Sequence, residues 1–382
     1  MNSMASVRLF PDRASIAIVR SVLEQHGFDL AHETLRPDYL TSPFPNRETF
    51  LSRLHRLDPP LLLLLQLFSL GESISAETVQ ELLGVDLLEA GLATGLLMLD
   101  LDEHRVSTGG IQIVSRLGQY FAISTSRAYP AFDSTFADVY LGPESYTLAN
   151  YLQRRAGNLP SSGRALDLCA GSGIAGQSIA AIRRGMLWTG VELSPQAVDA
   201  ATFNAALNEV ADRYTPVVGN LYEPVIGTHF QLIVANPPFI PVPADIDFPV
   251  YGDGGEDGLS VLTPMLTGLK THLAPSGRAI LYAEGLGNER GPFVLDLLER
   301  VAASGLTIGM TILSTMTSEQ TLFSIGRMLA VQNPPRIDQL AEWHALFARL
   351  GATRYDKYIL EIRVGEPSVI VRSLDVSSMT RV

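Results

Sequence analysis

The 382-residue sequence contains only one cysteine, Cys169. A single cysteine excludes an intrachain disulfide and any zinc site built from several cysteine ligands. It also favours a reducing compartment, so the sequence predicts a cytoplasmic protein. The seven histidines show no paired metal-ligand spacing, and no metal site is predicted.

Long hydrophobic runs and a secretory leader pattern are also missing. Residues 1–10 do not show the order of charged, apolar and small residues that signal peptides have. The most apolar run, residues 61–65, lies between Pro60 and Gly71, and it is far shorter than the ~20 residues that cross a bilayer. We therefore expect a soluble protein with no membrane partner.

Basic charge is scarce. Lys270 and Lys357 are the only lysines, and the net charge is −12. Such a chain lacks the broad basic surface of a dedicated nucleic-acid binder, although a local basic groove is compatible with it. Hydrophobic residues make up 46% of the sequence, which predicts a sizeable buried core, and the length accommodates two domains.

The first third of the chain has the pattern of a small helical domain. Apolar periodicity and capping residues predict helices over 11–29, 46–57, 60–68, 75–83 and 87–98, followed by a hairpin over 99–124 that turns at 108–110. Helices followed by a hairpin are the outline of a winged helix-turn-helix, which usually contacts DNA. The last of these helices contains no arginine. We therefore favour a domain that recognises a substrate or covers a site, and DNA is not the expected partner.

From residue 164 onward, strands alternate with helices, which indicates a parallel α/β sheet. The predicted strands are 164–169, 187–192, 215–219, 230–235, 278–284, 305–313 and 357–364, and the predicted helices are 174–184, 195–208, 258–273, 289–303, 318–330 and 336–350. The domain prediction is a helical, winged-helix-like domain over 1–125, a connector over 126–162 and an α/β domain over 163–382.

A glycine-rich turn follows the first of these strands. Asp167 ends the strand, and Gly171 and Gly173 form the turn into the next helix. Glycine lets a ligand approach the backbone closely, and open α/β sheets bind ligands at the carboxyl ends of their strands. Alone, the turn is weak evidence, because any strand-to-helix connection favours glycine.

Glu192 ends the second strand, about 20 residues after the glycine turn, where an acid that binds the ribose of a nucleoside cofactor belongs. Ser194 and Pro195 already supply the cap and first turn of the following helix. Glu192 is therefore available for a ligand.

The most specific motif is Asn236-Pro237-Pro238-Phe239, at the end of the fourth strand. Two successive prolines cannot continue a central strand, since neither has an N–H group. They hold the chain in a rigid turn, in which the Asn236 amide oxygen and a proline carbonyl can accept hydrogen bonds from a planar NH2 group. Phe239 can stack on the substrate.

Together these motifs resemble those of class I S-adenosylmethionine-dependent methyltransferases, which have a Rossmann-like seven-strand domain. Within that superfamily the chain is most similar to the branch of the release-factor N5-glutamine methyltransferases and the small-domain RNA guanine methyltransferases. The stretch over 251–259, Tyr-Gly-Asp-Gly-Gly-Glu-Asp-Gly-Leu, resembles the glutamine-methylating subgroup. The resemblance covers about residues 140–290.

The resemblance implies an enzyme that transfers a methyl group from S-adenosylmethionine to a nitrogen, with S-adenosylhomocysteine as product. Asn236, Pro237, Pro238 and Phe239 would form the catalytic turn. Glu192 would hold the ribose, Leu193 would pack on the adenine, and the remaining cofactor-binding residues would be Asp167, Cys169, Ala170, Gly171, Gly173, Asn220, Leu221 and Asn236.

Two positions depart from the pattern of the family. Asn220 replaces an aspartate that usually bonds the adenine, although its amide oxygen can accept the same bond. Phe239 replaces the tyrosine of the glutamine methyltransferases.

The identity of the acceptor stays open at this point. A glutamine amide of a protein fits the motifs best, while an RNA base amino group and a small metabolite remain alternatives. A hypothesis of another class is a DNA-binding regulator that responds to S-adenosylmethionine.

Overall fold

The computed structural model describes residues 8–40, 54, 56–116, 118–124, 139–332 and 334–374. The chain divides into two compact units. The first comprises residues 1–143, 171–181 and 194–218, and the second comprises 144–170, 182–193 and 219–382. Most of the predicted helix over 46–57 lies outside the described residues.

The first unit is mainly helical, and its helices begin where the sequence supplies caps. The Asp12 carboxylate accepts a hydrogen bond from Ser15 N at 3.0 Å, and Ser75 Oγ accepts one from Thr78 N at 3.1 Å, so both first turns are capped. Gly27, at φ 66°, separates two helices, so the predicted helix over 11–29 ends at Gln25 and a second helix begins at Phe28. The helices, numbered along the whole chain, are α1 (Arg13–Gln25), α2 (Phe28–Leu40), α3 (Pro59–Phe68), α4 (Ala76–Leu83), α5 (Val85–Ala93), α7 (Ile174–Ala180) and α8 (Pro195–Leu207).

The strands of this unit do not form the predicted hairpin over 99–124. They are β1 (Ile74–Ser75), β2 (Met98–Asp100), β3 (Arg105–Ser107), β4 (Ile111–Arg116), β5 (Gln119–Ser124) and β8 (Tyr214–Val218). β3 pairs with β2 and β1, whereas β4 pairs with β5. The cause is local turn chemistry: Asp100 Oδ1 accepts hydrogen bonds from the backbone of Asp102 and Glu103, at 2.9 and 3.0 Å, which closes a tight turn.

Two asparagines of α8 complete the hydrogen bonding of β5. Asn204 Oδ1 accepts from Ala122 N at 2.7 Å, and its Nδ2 donates to Ala122 O at 3.2 Å. Asn208 forms the same pair of bonds with Tyr120, both at 2.8 Å. Each side-chain amide therefore replaces the backbone of a neighbouring strand, so the backbone N–H and C=O groups of Tyr120 and Ala122 are satisfied.

The second unit is built on a mostly parallel sheet. Its strands are β6 (Ser162–Leu168), β7 (Gly185–Glu192), β9 (Phe230–Ala235), β10 (Leu273–Asn288), β11 (Gly291–Pro292), β12 (Leu306–Thr317), β13 (Arg354–Val364) and β14 (Ser368–Ser373). Within the unit their order is β14-β12-β13-β10-β9-β6-β7, with β11 beside β10. β13 runs antiparallel to both neighbours, and β6, β7, β9 and β10 are parallel.

The helices of the second unit are α6 (Pro143–Arg154), α9 (Leu262–His272), α10 (Leu295–Ala302), α11 (Ser318–Gln332) and α12 (Leu340–Leu350). No helix within the described ranges is long and apolar enough to cross a membrane. The described residues also contain no cluster of three or more His, Cys, Asp or Glu that could hold a metal ion.

Candidate active site

The strand order of the second unit fixes where a ligand can bind. Along the chain, β6 is the first strand of this sheet. In the sheet, the next strand, β7, lies on one side of β6, and β9 lies on the other side. The order therefore reverses between β6 and β9, and the crevice outside the carboxyl ends of such strands is the usual ligand site. Leu168 and Ala235 are paired at these ends, so Cys169 and Asn236 leave the sheet side by side.

The loop after β6 has an unusual backbone. Cys169 adopts φ 53°, a left-handed conformation that non-glycine residues adopt rarely and mostly at functional sites. Ala170 N donates to Val191 O at 3.1 Å, which ties this loop to the end of β7. Asp167, the second-last residue of β6, is buried.

The predicted glycine turn follows directly and belongs to the first unit. Gly171, at φ 53°, has room on its side-chain side, because an added Cβ would meet only Tyr140 O at 3.9 Å. Gly173, at φ 83°, precedes α7, and an added Cβ there would collide with the Gln177 side chain. Only glycine suits both positions, as the sequence indicated.

Glu192 and Leu193 lie at the end of β7 and are accessible. Glu192 is half-buried, and Leu193 exposes 55% of its surface. Glu192 O accepts a hydrogen bond from Gly219 N at 2.9 Å, which brings the loop of Asn220 beside it. Leu221 in that loop is also left-handed, at φ 48°. An acid, an exposed apolar side chain and an exposed amide thus share one rim and suit a nucleoside.

The electrostatics of this rim act on Cys169. Burial raises the pKa of its thiol well above the ordinary value, and the negative charges of Glu192 and Asp167 raise it further. The thiol stays protonated, so Cys169 contributes shape rather than a nucleophile.

The Asn236 amide is oriented by a residue from α6. Its Nδ2 donates to Ser145 Oγ at 3.2 Å, and Ser145 is itself buried. The other end of the amide, Oδ1, is buried and has no hydrogen-bond partner among the described residues. A buried acceptor without a donor costs about 1–3 kcal/mol, which a bound NH2 group would recover.

The glycines of the 251–259 stretch hold the proline turn. An added Cβ on Gly254 would lie 2.8 Å from Phe239 Cα and carbonyl carbon, and one on Gly258 would lie 2.6 Å from Phe239 O. Ile240 forms backbone hydrogen bonds at 2.9 Å with Gly252 and with Gly254. The stretch therefore packs directly against the proline turn of residues 236–239, and this contact explains why Gly254 and Gly258 are glycines.

The Phe239 ring is largely buried and lies 6.0 Å from the ring of Tyr282. The Tyr282 hydroxyl donates to Glu284 Oε1 at 2.6 Å, and Lys357 Nζ lies 3.1 Å from the same oxygen. Burial, with the Glu284 charge next, raises the pKa of Tyr282 above its usual range. The aromatic pair is thus anchored by a buried, charge-compensated carboxylate.

The α11–α12 pair supports the segment that follows Phe239. Trp343, fully buried, donates from Nε1 to Pro241 O at 2.6 Å. Val242 and Ile246 join the same apolar cluster. These contacts show that the two helices anchor the loop after Phe239.

The structure therefore brings Asp167, Cys169, Glu192, Asn220 and Asn236 to one edge of the second unit. Sequence reasoning missed Ser145, Tyr282 and Trp343. Ser145 had a detectable signal, since it follows a Leu-Gly-Pro-Glu turn at the start of a helix. Tyr282 and Trp343 looked like ordinary core residues.

The sheet, its reversal point, the acid after β7 and the Asn-Pro-Pro turn after β9 define a Rossmann-like methyltransferase fold. The family described as Methyltransferase small domain matches residues 134–283, so this segment is similar to the members of that family. The match confirms the predicted class and, with it, S-adenosylmethionine as the expected cofactor.

Relatives of known name agree with the predicted branch. The release factor glutamine methyltransferase of Xylella fastidiosa is 34% identical over 167 residues, which cover 41% of this chain and 56% of the relative. The Aquifex aeolicus enzyme of the same name is 30% identical over 142 residues, 35% of this chain and 50% of the relative. A ribosomal protein uL3 glutamine methyltransferase of Bradyrhizobium diazoefficiens is 30% identical over 125 residues, which cover 31% of this chain and 39% of the relative.

The chain spans about half the length of the curated relatives it matches. Among solved structures, P. horikoshii TYW2 in complex with MeSAdo overlaps 68% of this chain and 73% of its own. Its identity is 11% and its TM-score 0.40, so the overlap supports no functional argument.

Proposed function

We propose that the protein transfers a methyl group from S-adenosylmethionine to the side-chain amide nitrogen of a glutamine in a protein. The observation that carries the proposal is the Asn236 amide, whose Nδ2 is bound to Ser145 while its buried Oδ1 has no partner among the described residues. A planar NH2 group is the complementary donor.

The residues at the rim fit the cofactor. Glu192 would accept hydrogen bonds from the ribose hydroxyls, Leu193 would cover the adenine, and the Asn220 side chain would accept from the adenine amino group. The open side of Gly171 leaves space for a ligand to approach the backbone. The bound cofactor supplies a methyl group already activated by a sulfonium.

The chemistry asks the protein for position rather than for acid or base. Asn236 Oδ1 would hold one N–H of the acceptor, which fixes the direction of the attacking lone pair. As the N–C bond forms and the C–S bond breaks, the nitrogen gains positive character and its N–H becomes a stronger donor; one of its protons then passes to water. Asn236 Oδ1 and the carbonyl of Pro237 would then bind the transition state more tightly than the ground state.

The acceptor class is supported by the relatives, whose names specify glutamine in release factors and in ribosomal protein uL3. The 251–259 stretch that resembles the glutamine subgroup also packs on the catalytic turn. The single cysteine supports a cytoplasmic location. For the first unit we propose a winged-helix-like fold, which the β1-β3-β2 strand order supports, and a role in substrate recognition.

The test is to incubate the protein with methyl-labelled S-adenosylmethionine and a cell lysate separated into protein, RNA and small-molecule pools. We expect label in the protein pool, recovered as N5-methylglutamine after enzymatic digestion. Label confined to the RNA or metabolite pool would refute the proposed acceptor. No label in any pool would refute the activity.

A further inference from the structure

A groove of about 450 Å³ lies on the sheet of the second unit, across β10, β12, β13 and β14. Four arginines and one glutamate line it together with small and aliphatic residues. We call it the arginine groove and define it by Arg155, Arg278, Arg363, Arg372 and Glu361.

The arginines are placed where a sheet ordinarily avoids them. Arg278 on β10 lies directly opposite Arg363 on β13, and like charges in such a pair destabilise a sheet. Arg372, on β14, lies opposite Thr311 of β12. All three arginines are exposed, so their guanidinium groups can reach a ligand in the groove.

The charge of the groove is not balanced from within. Glu361 Oε1 lies 3.3 Å from Arg155 Nη1, so this pair is neutral. In the described part of the chain, no ion pair involves Arg278, Arg363 or Arg372. The groove therefore carries a local charge of about +3 on a chain whose net charge is −12.

The arginine groove is separate from the candidate active site. Arg278 pairs with Leu232, and Leu281, three residues later, pairs with Ala235 at the carboxyl end of β9. Four residues of strand, roughly 13 Å, thus separate the level of Arg278 from that of Asn236. The proposed methyl transfer does not use this groove.

We propose that the arginine groove binds the phosphate backbone of RNA. Guanidinium groups bind phosphate in a bidentate manner. Among the described residues no aromatic ring lines the groove, and its lining includes Ser276, Thr307 and Gly309. Such a surface lacks the aromatic anchors of a protein interface and the platforms that stack bases. It matches the polar, positively charged surfaces that contact nucleic-acid backbones. Because phosphates are the same at every nucleotide, the proposed RNA binding is independent of sequence.

The test is fluorescence anisotropy of the full-length protein with a labelled 12-nucleotide uridine RNA between 50 and 200 mM salt. Three phosphate contacts predict a log–log salt slope of about −2, which is a loss of roughly 20-fold in affinity over this range. The R278A/R363A/R372A variant should bind at least about tenfold more weakly at 50 mM salt and show almost no slope. The E361Q variant should bind more tightly.

The matched control is R184A/R290A/R300A, which also removes three exposed arginines, all of them outside the groove. If it weakens RNA as much as the groove variant, overall charge and not the groove is responsible, and the proposal fails. It also fails if the wild-type protein shows no RNA binding at 50 mM salt. Displacement of the RNA by a polyglutamate peptide as readily as by unlabelled RNA would assign the groove to an acidic protein instead. Circular dichroism establishes that each variant is folded.

Discussion

At the scale of single residues, the proposed methyl transfer depends on how the Asn236 side chain is oriented. Its side chain alone could rotate and present either end of the amide. In the structure Nδ2 faces Ser145 Oγ, at 3.2 Å, which leaves Oδ1 as the end of the amide that can accept from a ligand. The sequence identified Asn236 because the two following prolines are unusual, whereas the partner lies 91 residues earlier, a distance that local patterns do not bridge.

Replacing Ser145 with alanine should therefore lower turnover without affecting cofactor affinity. Loss of one positioning hydrogen bond, about 1.4 kcal/mol, corresponds to roughly a tenfold fall in kcat. Steady-state kinetics with the protein acceptor would measure it. Ser304→Ala, which removes a hydroxyl bonded to Val301 O outside the site, is the control. Equal effects of both variants, or an unchanged kcat for Ser145→Ala, would contradict the positioning role.

The raised pKa of Cys169 gives a second prediction at this scale. The folded protein should react with iodoacetamide at pH 8.5 far more slowly than the chain unfolded in guanidinium, because little thiolate is present when the pKa is raised. Glu192→Gln removes a negative charge that raises this pKa, so alkylation should become faster. Mass spectrometry of the Cys169 peptide measures both rates. An unchanged rate in Glu192→Gln would mean that the two side chains do not interact.

At the scale of elements, regular periodicity was predictable and turn chemistry was not. β9 coincides with its predicted range, and α8 ends one residue before its predicted end. The predicted 99–124 hairpin was wrong because the Asp100 turn closes β2 on β3 before the Gly109-Gly110 pair is reached. β14 was missed, since its exposed residues lack the alternation of a half-buried strand.

The contact between Gly254 and the catalytic turn gives the prediction for this scale. Gly254→Ala places a methyl group 2.8 Å from the Phe239 backbone, so the turn must shift. Because a displacement of about 1 Å can cost 100-fold in rate, methyl transfer should fall by about that factor. Gly157→Ala is the matched control, as nothing lies within 4 Å of its added Cβ.

Activity assays with circular dichroism as a folding check would measure the two variants. If Gly254→Ala retains wild-type turnover, the 251–259 stretch does not position the turn. If Gly157→Ala loses as much activity, the effect is a general cost of replacing glycine and says nothing about the site.

At the scale of the whole molecule, the sequence predicted the α/β class and the residues that gather at the reversal point of the sheet. It did not predict the antiparallel β13 between β10 and β12, because strand order depends on long-range pairing that single-strand patterns do not encode. The arginine groove could not be predicted from the sequence either, because its residues come from positions 155 to 372 and only the folded sheet brings them together.

The first unit depends on the asparagines of α8 for its integrity. Asn204→Ala leaves the backbone of Ala122 without its side-chain partners, and unsatisfied buried groups cost about 1–3 kcal/mol each. We expect a clearly lower midpoint of urea unfolding. Asn158→Ala, at an exposed position, should leave the midpoint unchanged. A midpoint for Asn204→Ala equal to that of the wild-type protein would show that the two bonds contribute no stability.

The resemblance also places Asn236 among the cofactor-binding residues, but we propose that its main partner is the methyl acceptor. The most direct measurement compares Asn236→Ala with the wild-type protein by calorimetric titration of S-adenosylmethionine and by single-turnover transfer to the labelled protein pool. The proposed role of Asn236 predicts a cofactor Kd within about twofold of the wild-type value and a transfer rate lower by at least about 100-fold, as for the loss of one transition-state hydrogen bond. Transfer at close to the wild-type rate, or a loss of cofactor binding that matches the loss of transfer, would contradict it.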